Sequence, residues 1–181
     1  MATLLLKTEP DEYSFDDLVR DGTTAWTGIT NAAALLAVRS AAKGDQAFVY
    51  HTGREKRIVG LAVVTRGPYP DPDANDEKLV AIDIKGIQPV PRAVTLAEIK
   101  ADARFASFAL VRQSRLSAMV VPAQLDAILR QMAGLTGPSA APAAGGRRPA
   151  SRAAKPGGDR GGAKDAAKDE GRNRRRPKEQ A

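Results

Sequence analysis

Lys7, Thr8 and Glu9 stand together at the end of the first apolar run, just before Pro10. A lysine held beside a carboxylate can do acid/base or nucleophilic work once it is desolvated. The same residues can equally form a local ion pair at a strand exit or the polar floor of a pocket. Side chains alternate along a strand, so Lys7 and Glu9 are expected on one face and Thr8 on the other. A second group, Trp26-Thr27-Gly28-Ile29-Thr30-Asn31, holds the only tryptophan. An indole stacks on flat heterocycles, and an asparagine amide offers a donor and an acceptor to a base edge. Gly28 allows close backbone approach. The alternative is a core Trp26 and an Asn31 that only caps a helix. In the third group, Arg112, Ser114, Arg115 and Ser117 fall within one eight-residue stretch, Leu110–Ser117. They suit a phosphate and a base edge, or else form a solvated loop with Arg112 paired to a carboxylate.

Other chemistry is excluded by what is absent. The chain has no cysteine and a single histidine, His51. Disulfides, thiolate nucleophiles and multi-histidine metal sites are therefore not expected, and neither is a cofactor. There is no G-x-S-x-G elbow, P-loop, G-x-G-x-x-G or H-E-x-x-H. His51 follows Phe48-Val49-Tyr50 and is expected as a hydrogen-bonded rim residue. Asp71, Asp73, Asp76 and Glu77 lack the spacing of a calcium loop and read as a solvated excursion. No run of 18 apolar residues occurs, so no membrane partner is expected. Leu4-Leu5-Leu6 is too short for a signal-peptide core, and a cytoplasmic location is expected.

The elements that must position these residues are readable in outline. Ala2–Thr8 reads as a buried strand. Ser14 caps a short helix with Asp16 and Asp17 in its first turn, and Gly22 ends it. Asn31 caps a second helix, closed at Lys43-Gly44-Asp45. Gln46–Thr52 and Ile58–Arg66 read as a hairpin turning at Gly53. Pro68, Pro70 and Pro72 mark a polar excursion before a strand at Leu79–Ile87. Thr95 and Glu98 form a capping box. Arg115–Val121 reads as the last strand, and Pro122 opens a final amphipathic helix. The order is not the regular alternation of a parallel sheet. It predicts an α+β fold: a partly closed, mostly antiparallel β-barrel with short peripheral helices.

The composition changes after Leu135. Residues 137–181 contain no Leu, Ile, Val, Met or aromatic residue, and hold 8 of the 16 glycines. Such a segment cannot bury enough apolar surface to offset its chain entropy. The expected organisation is a folded domain over 1–135 and a disordered Ala/Gly/Pro/Arg-rich tail over 136–181. The whole formal charge of +7 belongs to that tail, since residues 1–136 carry 16 basic and 16 acidic residues. Arg147, Arg148, Arg172, Arg174, Arg175 and Arg176 read either as a sequence-blind polyanion contact or as a solubilising extension.

Taken in order, the motifs resemble the EVE domain family of the PUA-like superfamily. They are Leu5-Leu6-Lys7-Thr8-Glu9-Pro10, Trp26-Thr27-Gly28-Ile29-Thr30-Asn31, Val49-Tyr50-His51-Thr52-Gly53, Tyr69-Pro70-Asp71-Pro72, Pro91-Arg92-Ala93-Val94-Thr95-Leu96 and Leu110-Val111-Arg112-Gln113-Ser114-Arg115-Leu116-Ser117. The resemblance implies a PUA-like barrel and a pocket for a nucleobase, in particular a modified one in DNA or RNA. On that basis Trp26 would stack on the base, while Asn31, Lys7 and Glu9 would read polar edges. Ser117 and Arg115 would line the opposite wall, with Tyr50 or His51 at the rim. Leu4 stands where many members carry Trp, and Phe15 replaces another, so a one-sided stack is expected rather than a full cage. A non-enzymatic nucleic-acid reader is the leading reading. A small amidohydrolase using Lys7, Thr8 and Glu9, as in the ASCH relatives, and a protein-interaction module are the alternatives. Nothing in the chain sets an oligomeric state.

Overall fold

The computed structural model describes residues 1–135; the expected tail lies outside the described residues. The strands are β1 (Thr3–Thr8), β2 (Thr23–Trp26), β3 (Gln46–His51), β4 (Arg57–Pro70), β5 (Val80–Thr95) and β6 (Ala118–Val121). The helices are α1 (Phe15–Asp21), α2 (Ala32–Arg39), α3 (Leu96–Ala101), α4 (Ala109–Arg112) and α5 (Ala123–Met132), with a 3-10 turn at Ala103–Phe105. The strands form one six-stranded sheet in the order β2-β5-β4-β3-β1-β6. Every pairing is antiparallel except β1 with β3. This is the expected mixed α+β class. The parallel pair was not foreseen; it arises because α1, β2 and α2 form a crossover between its strands.

Burial explains the middle of the sheet. Leu4, Leu5 and Leu6 are all fully buried, so β1 is covered on both faces. That is why its sequence is a continuous apolar run rather than an alternation. All six residues of β3 are buried. Its polar first residue, Gln46, accepts a 2.8 Å hydrogen bond from the buried guanidinium of Arg130. Arg130 thereby ties α5 to the sheet, and within α5 it also holds both Asp126 carboxylate oxygens at 2.9–3.0 Å.

β4 and β5 are longer than the sequence predicts. The proline segment at Pro68–Pro70 is strand, not excursion, because β3 pairs with β4 only as far as Val63. Beyond that point β4 pairs with β5 alone, and residues lacking an N–H are tolerated on the open side. Four register shifts interrupt the β4–β5 ladder. Such irregularities bend and twist a long hairpin. At the other end of the chain, the strand expected over Arg115–Val121 is confined to Ala118–Val121.

The N-terminal caps of α1, α2 and α3 are as predicted, whereas α2 ends at Arg39 with Ser40 as its C-cap, short of the expected close at Lys43-Gly44-Asp45. The Ser14 side chain accepts from the Asp17 N–H, and the Asp17 carboxylate accepts from the Ser14 N–H at 2.8 Å. Gly22, at φ +79°, stops α1. Asn31 Oδ1 accepts from the Ala33 and Ala34 N–H groups at 2.9 and 3.2 Å. Thr95 and Glu98 form the second capping box. α1 seats on the sheet through Phe15, whose ring lies directly over Gly60.

Two tests follow from these contacts. A methyl group at Gly60 would strike the buried Phe15 ring. Gly60→Ala should therefore lower stability by about 1–3 kcal/mol in urea unfolding. Hydrogen bonds from the Ser14 side chain and backbone, and then from Arg20, hold Asp17 down to about 2. A carboxylate depressed on folding stabilises above its unfolded value, and that contribution fades as pH falls through the folded one. The stability conferred by Asp17 should be whole above 3.8 and vanish towards about 2. Asp17→Asn should flatten that limb of the acid titration and leave the remainder unchanged.

Candidate functional site

β2 and β6 are the two ends of the sheet, and no ladder joins them among the described residues. The bent sheet instead brings its ends to opposite sides of a cleft of about 450 Å³. One wall is Thr24, Ala25 and Trp26 of β2, with Thr27, Gly28 and Ile29 after it. The other is Lys7, Thr8 and Glu9 at the end of β1, with Ser117 just before β6. Glu12 and Tyr13 complete the lining. The size falls in the range of small-molecule sites.

Trp26 is 9 % exposed and is among the residues lining the cleft. Tyr13 meets it edge-on, with ring centroids 6.4 Å apart and planes at 75°. Burial, with the Asp21 carboxylate beside it, pushes the Tyr13 hydroxyl above its usual value, so it remains a donor. Gly28 has φ +73°, which glycine alone adopts freely. Its N–H donates at 2.9 Å to Asp71 Oδ2, and Asp71 Oδ1 accepts from the Asp73 N–H at 3.0 Å. Asp71 is 4 % exposed and is not part of a solvated excursion as the sequence suggests. It is a tie that fixes the tryptophan wall to the proline loop.

On the opposite wall stand the three residues at the end of β1, and their side chains go to different partners. β1 ends at Thr8, and the chain turns at once: the Glu9 carbonyl accepts from the Glu12 and Tyr13 N–H groups. All three residues line the first cleft. They do not pair with each other. Lys7 Nζ donates to the Ser114 carbonyl at 2.6 Å, and burial holds Lys7 below the usual lysine value. The Thr8 hydroxyl donates to the Tyr13 carbonyl at 2.7 Å. Glu9 accepts from the Thr52 hydroxyl and lies against Gly53.

Of the remaining predicted site residues, Asn31 is occupied in capping α2. Tyr50 and Ser114 border a second, smaller cleft that also touches Lys7. Burial pushes the Tyr50 hydroxyl up to about 12. Arg112 and Arg115 are exposed and line neither cleft. His51 is not on the rim but beneath it, 7 % exposed. Its Nε2 accepts from the Phe15 N–H at 3.0 Å, so the ring proton sits on Nδ1 and is donated to Glu55 at 2.8 Å. That bond, followed by one from Arg57, holds Glu55 below the usual carboxylate value. Thr24, Thr27, Glu12 and Tyr13 were not singled out from sequence. The one signal for Tyr13 is its place directly before the Ser14 cap, where an aromatic residue packs against the helix it introduces. The six tail arginines lie outside the described residues.

Removing the Asp71 carboxylate leaves the Gly28 and Asp73 N–H groups unmatched. Asp71→Ala should cost about 1–3 kcal/mol by thermal or urea unfolding. It should also shift Trp26 emission to longer wavelength as the wall loosens. An unchanged emission maximum would mean that Asp71 does not hold that wall.

Comparison with known proteins agrees with this architecture. A family model described as the EVE domain matches residues 2–132. Chicken thymocyte nuclear protein 1 is 30 % identical over 122 residues, covering 53 % of this chain and 50 % of its own length. The chain thus spans about half the length of the curated relatives it matches. Among solved structures, Rpa0253 from Rhodopseudomonas palustris is 41 % identical with a TM-score of 0.71, covering 76 % of this chain and 96 % of that one. Human THYN1 protein in complex with 5-methylcytosine-containing DNA has a TM-score of 0.68 over 76 % of this chain and 100 % of that one. At 23 % identity, that likeness speaks to the fold alone. With its model matched along the whole described fold, the chain belongs to the EVE domain family.

Proposed function

We propose that this chain is a non-enzymatic nucleic-acid-binding module that takes one nucleobase, a modified cytosine foremost, into the cleft between the two sheet ends. The observation that carries the reading is the single indole bordering a cleft whose facing wall is polar: Lys7, Thr8 and Ser117. A flat heterocycle needs one apolar face to stack on and polar groups at its edge. The human relative's complex with 5-methylcytosine-containing DNA supports the ligand class. A base must leave its stack to enter such a cleft, which costs a few kcal/mol and favours unpaired or distorted sites. Cationic attraction by Arg147, Arg148, Arg172, Arg174, Arg175 and Arg176 would help offset that cost in a sequence-blind way.

Each member of the Lys7-Thr8-Glu9 set is already committed to a bond that shapes the cleft. That favours a binding floor over the amidohydrolase alternative. No described helix is long and apolar enough to cross a membrane. On this reading the protein works where its nucleic acid is, which is the cytoplasm in the sequence reading.

The test is fluorescence anisotropy with oligonucleotides that differ only in one cytosine, plain or 5-methylated. The methylated oligonucleotide should bind more tightly. Trp26→Phe, which keeps an aromatic in the wall, should lower that affinity about tenfold through the weaker stack. Equal binding of both oligonucleotides, together with indifference to Trp26→Phe, would overturn the proposal. Turnover of an acylated cytidine that is lost in Lys7→Ala would replace it with the enzymatic reading.

A further inference from the structure

Around the end of β1 lies a second cleft of about 260 Å³ with a different character. Three lysines, Lys7, Lys56 and Lys100, border it, and no acidic residue does. Between them stand Tyr50, Thr52 and Ser114. Five arginines, Arg20, Arg57, Arg92, Arg104 and Arg130, are ion-paired with carboxylates. None of the three cleft lysines is ion-paired with a described carboxylate. One carboxylate stands beside the cleft, Glu9, which accepts from the Thr52 hydroxyl and lies against Gly53, and the positive charge of the three lysines exceeds it.

The surroundings sharpen the point. Lys7 Nζ spends one of its three donors on the Ser114 carbonyl, and the ammonium lies 6.0 Å from the Tyr50 ring centroid. Tyr50 is 3 % exposed, and burial raises its hydroxyl, which stays a donor. A partly buried ammonium without a counter-charge carries a desolvation cost that an anion would relieve. Lys56 has φ +43°, the one described residue other than glycine in the left-handed region. Its carbonyl accepts from the Leu96 N–H at 2.7 Å, which fixes that strained backbone at the cleft. Backbone strain of this kind concentrates at ligand clamps.

Lys7 borders both clefts, so the two are neighbours on either side of one side chain. A nucleotide has the same layout, with a flat base on one side and a phosphate a few bonds away. We propose that the lysine-lined cleft is a phosphodiester subsite, which takes the backbone phosphate next to the base held against Trp26. Lys7, Lys56 and Lys100 supply the charge, and the Tyr50 hydroxyl supplies a neutral donor. Three compact ammonium groups suit a tetrahedral anion that can sit in several orientations. The proposal rests on the base-binding reading for its choice of neighbour, but not for its charge.

The test compares full-length protein with Lys56→Gln/Lys100→Gln. Neither lysine borders the base cleft. Probes are 5-methyldeoxycytidine, its 3′- and 5′-monophosphates, inorganic phosphate and a single-stranded oligonucleotide with one 5-methylcytosine. Adding one of the two phosphates to the nucleoside should raise affinity at least fivefold in the parent chain, and the double variant should lose that increment. The oligonucleotide's log–log salt slope should fall by about 0.7–1, the value for one phosphate contact. Phosphate increments and salt slopes that are the same in both proteins would overturn the subsite. If the nucleoside fails to bind but the oligonucleotide's affinity and salt slope still drop in the variant, the base reading fails and the subsite stands. Inorganic phosphate binding as tightly as the monophosphates would show a free-anion site and overturn the diester assignment. Lys100→Glu, on an exposed helix position, gives a second variant whose effect should be larger than that of Lys100→Gln alone.

Discussion

A six-stranded sheet with four register shifts in its longest hairpin cannot lie flat. The curl that follows from β4 and β5 is the constraint on which the rest of the molecule depends. It brings β2 round to face the end of β1 and the start of β6 without pairing them, and the unfilled seam is the cleft. Closing the ladder would satisfy more backbone groups but leave no space for a ligand. The walls of the site are thus the two free ends of the sheet. Their side chains need no special loop to reach one another.

Free ends must be held, and the structure holds them with polar side chains bonded to backbone. Asp71 grips the Gly28 N–H, Thr8 the Tyr13 carbonyl, Lys7 the Ser114 carbonyl and His51 the Phe15 N–H. All but the Thr8 bond join residues far apart in sequence, and each is short enough to fix a distance. Buried polar groups that are fully matched favour one arrangement over its near neighbours. Among the described residues, no buried side-chain nitrogen or oxygen lacks a partner. The site's rigidity comes from these anchors as much as from the apolar core behind Trp26.

What could be read from sequence was what is decided locally. The two capping boxes, the Asn31 cap and the turn at Gly53 involve residues a few positions apart, and their chemistry determines the outcome there. The family motifs then supplied the fold class. β2 was not foreseen because Thr23–Trp26 is too short for periodicity and pairs with residues about sixty positions away. Asp71 could not be told from its exposed acidic neighbours, since what buries it is the Gly28 N–H contributed by a distant turn. The lysines of the second cleft come from β1, the segment before β4, and α3, so no spacing in the chain announces them.

The placement of β1 also has a consequence for how the chain is made. Thr3 pairs with Gln46 on one side and with Val121 on the other. The first strand to leave the ribosome therefore waits with one edge unsatisfied until nearly all of the fold has been synthesised. An apolar ribbon of three leucines with an open edge is a template for wrong pairing during that interval. Pairings this distant also slow the search for the native topology, since the chain entropy of closure is lost before the contacts are gained. The residues after Met119 therefore set when the domain becomes safe from aggregation, although none of those described lines either cleft.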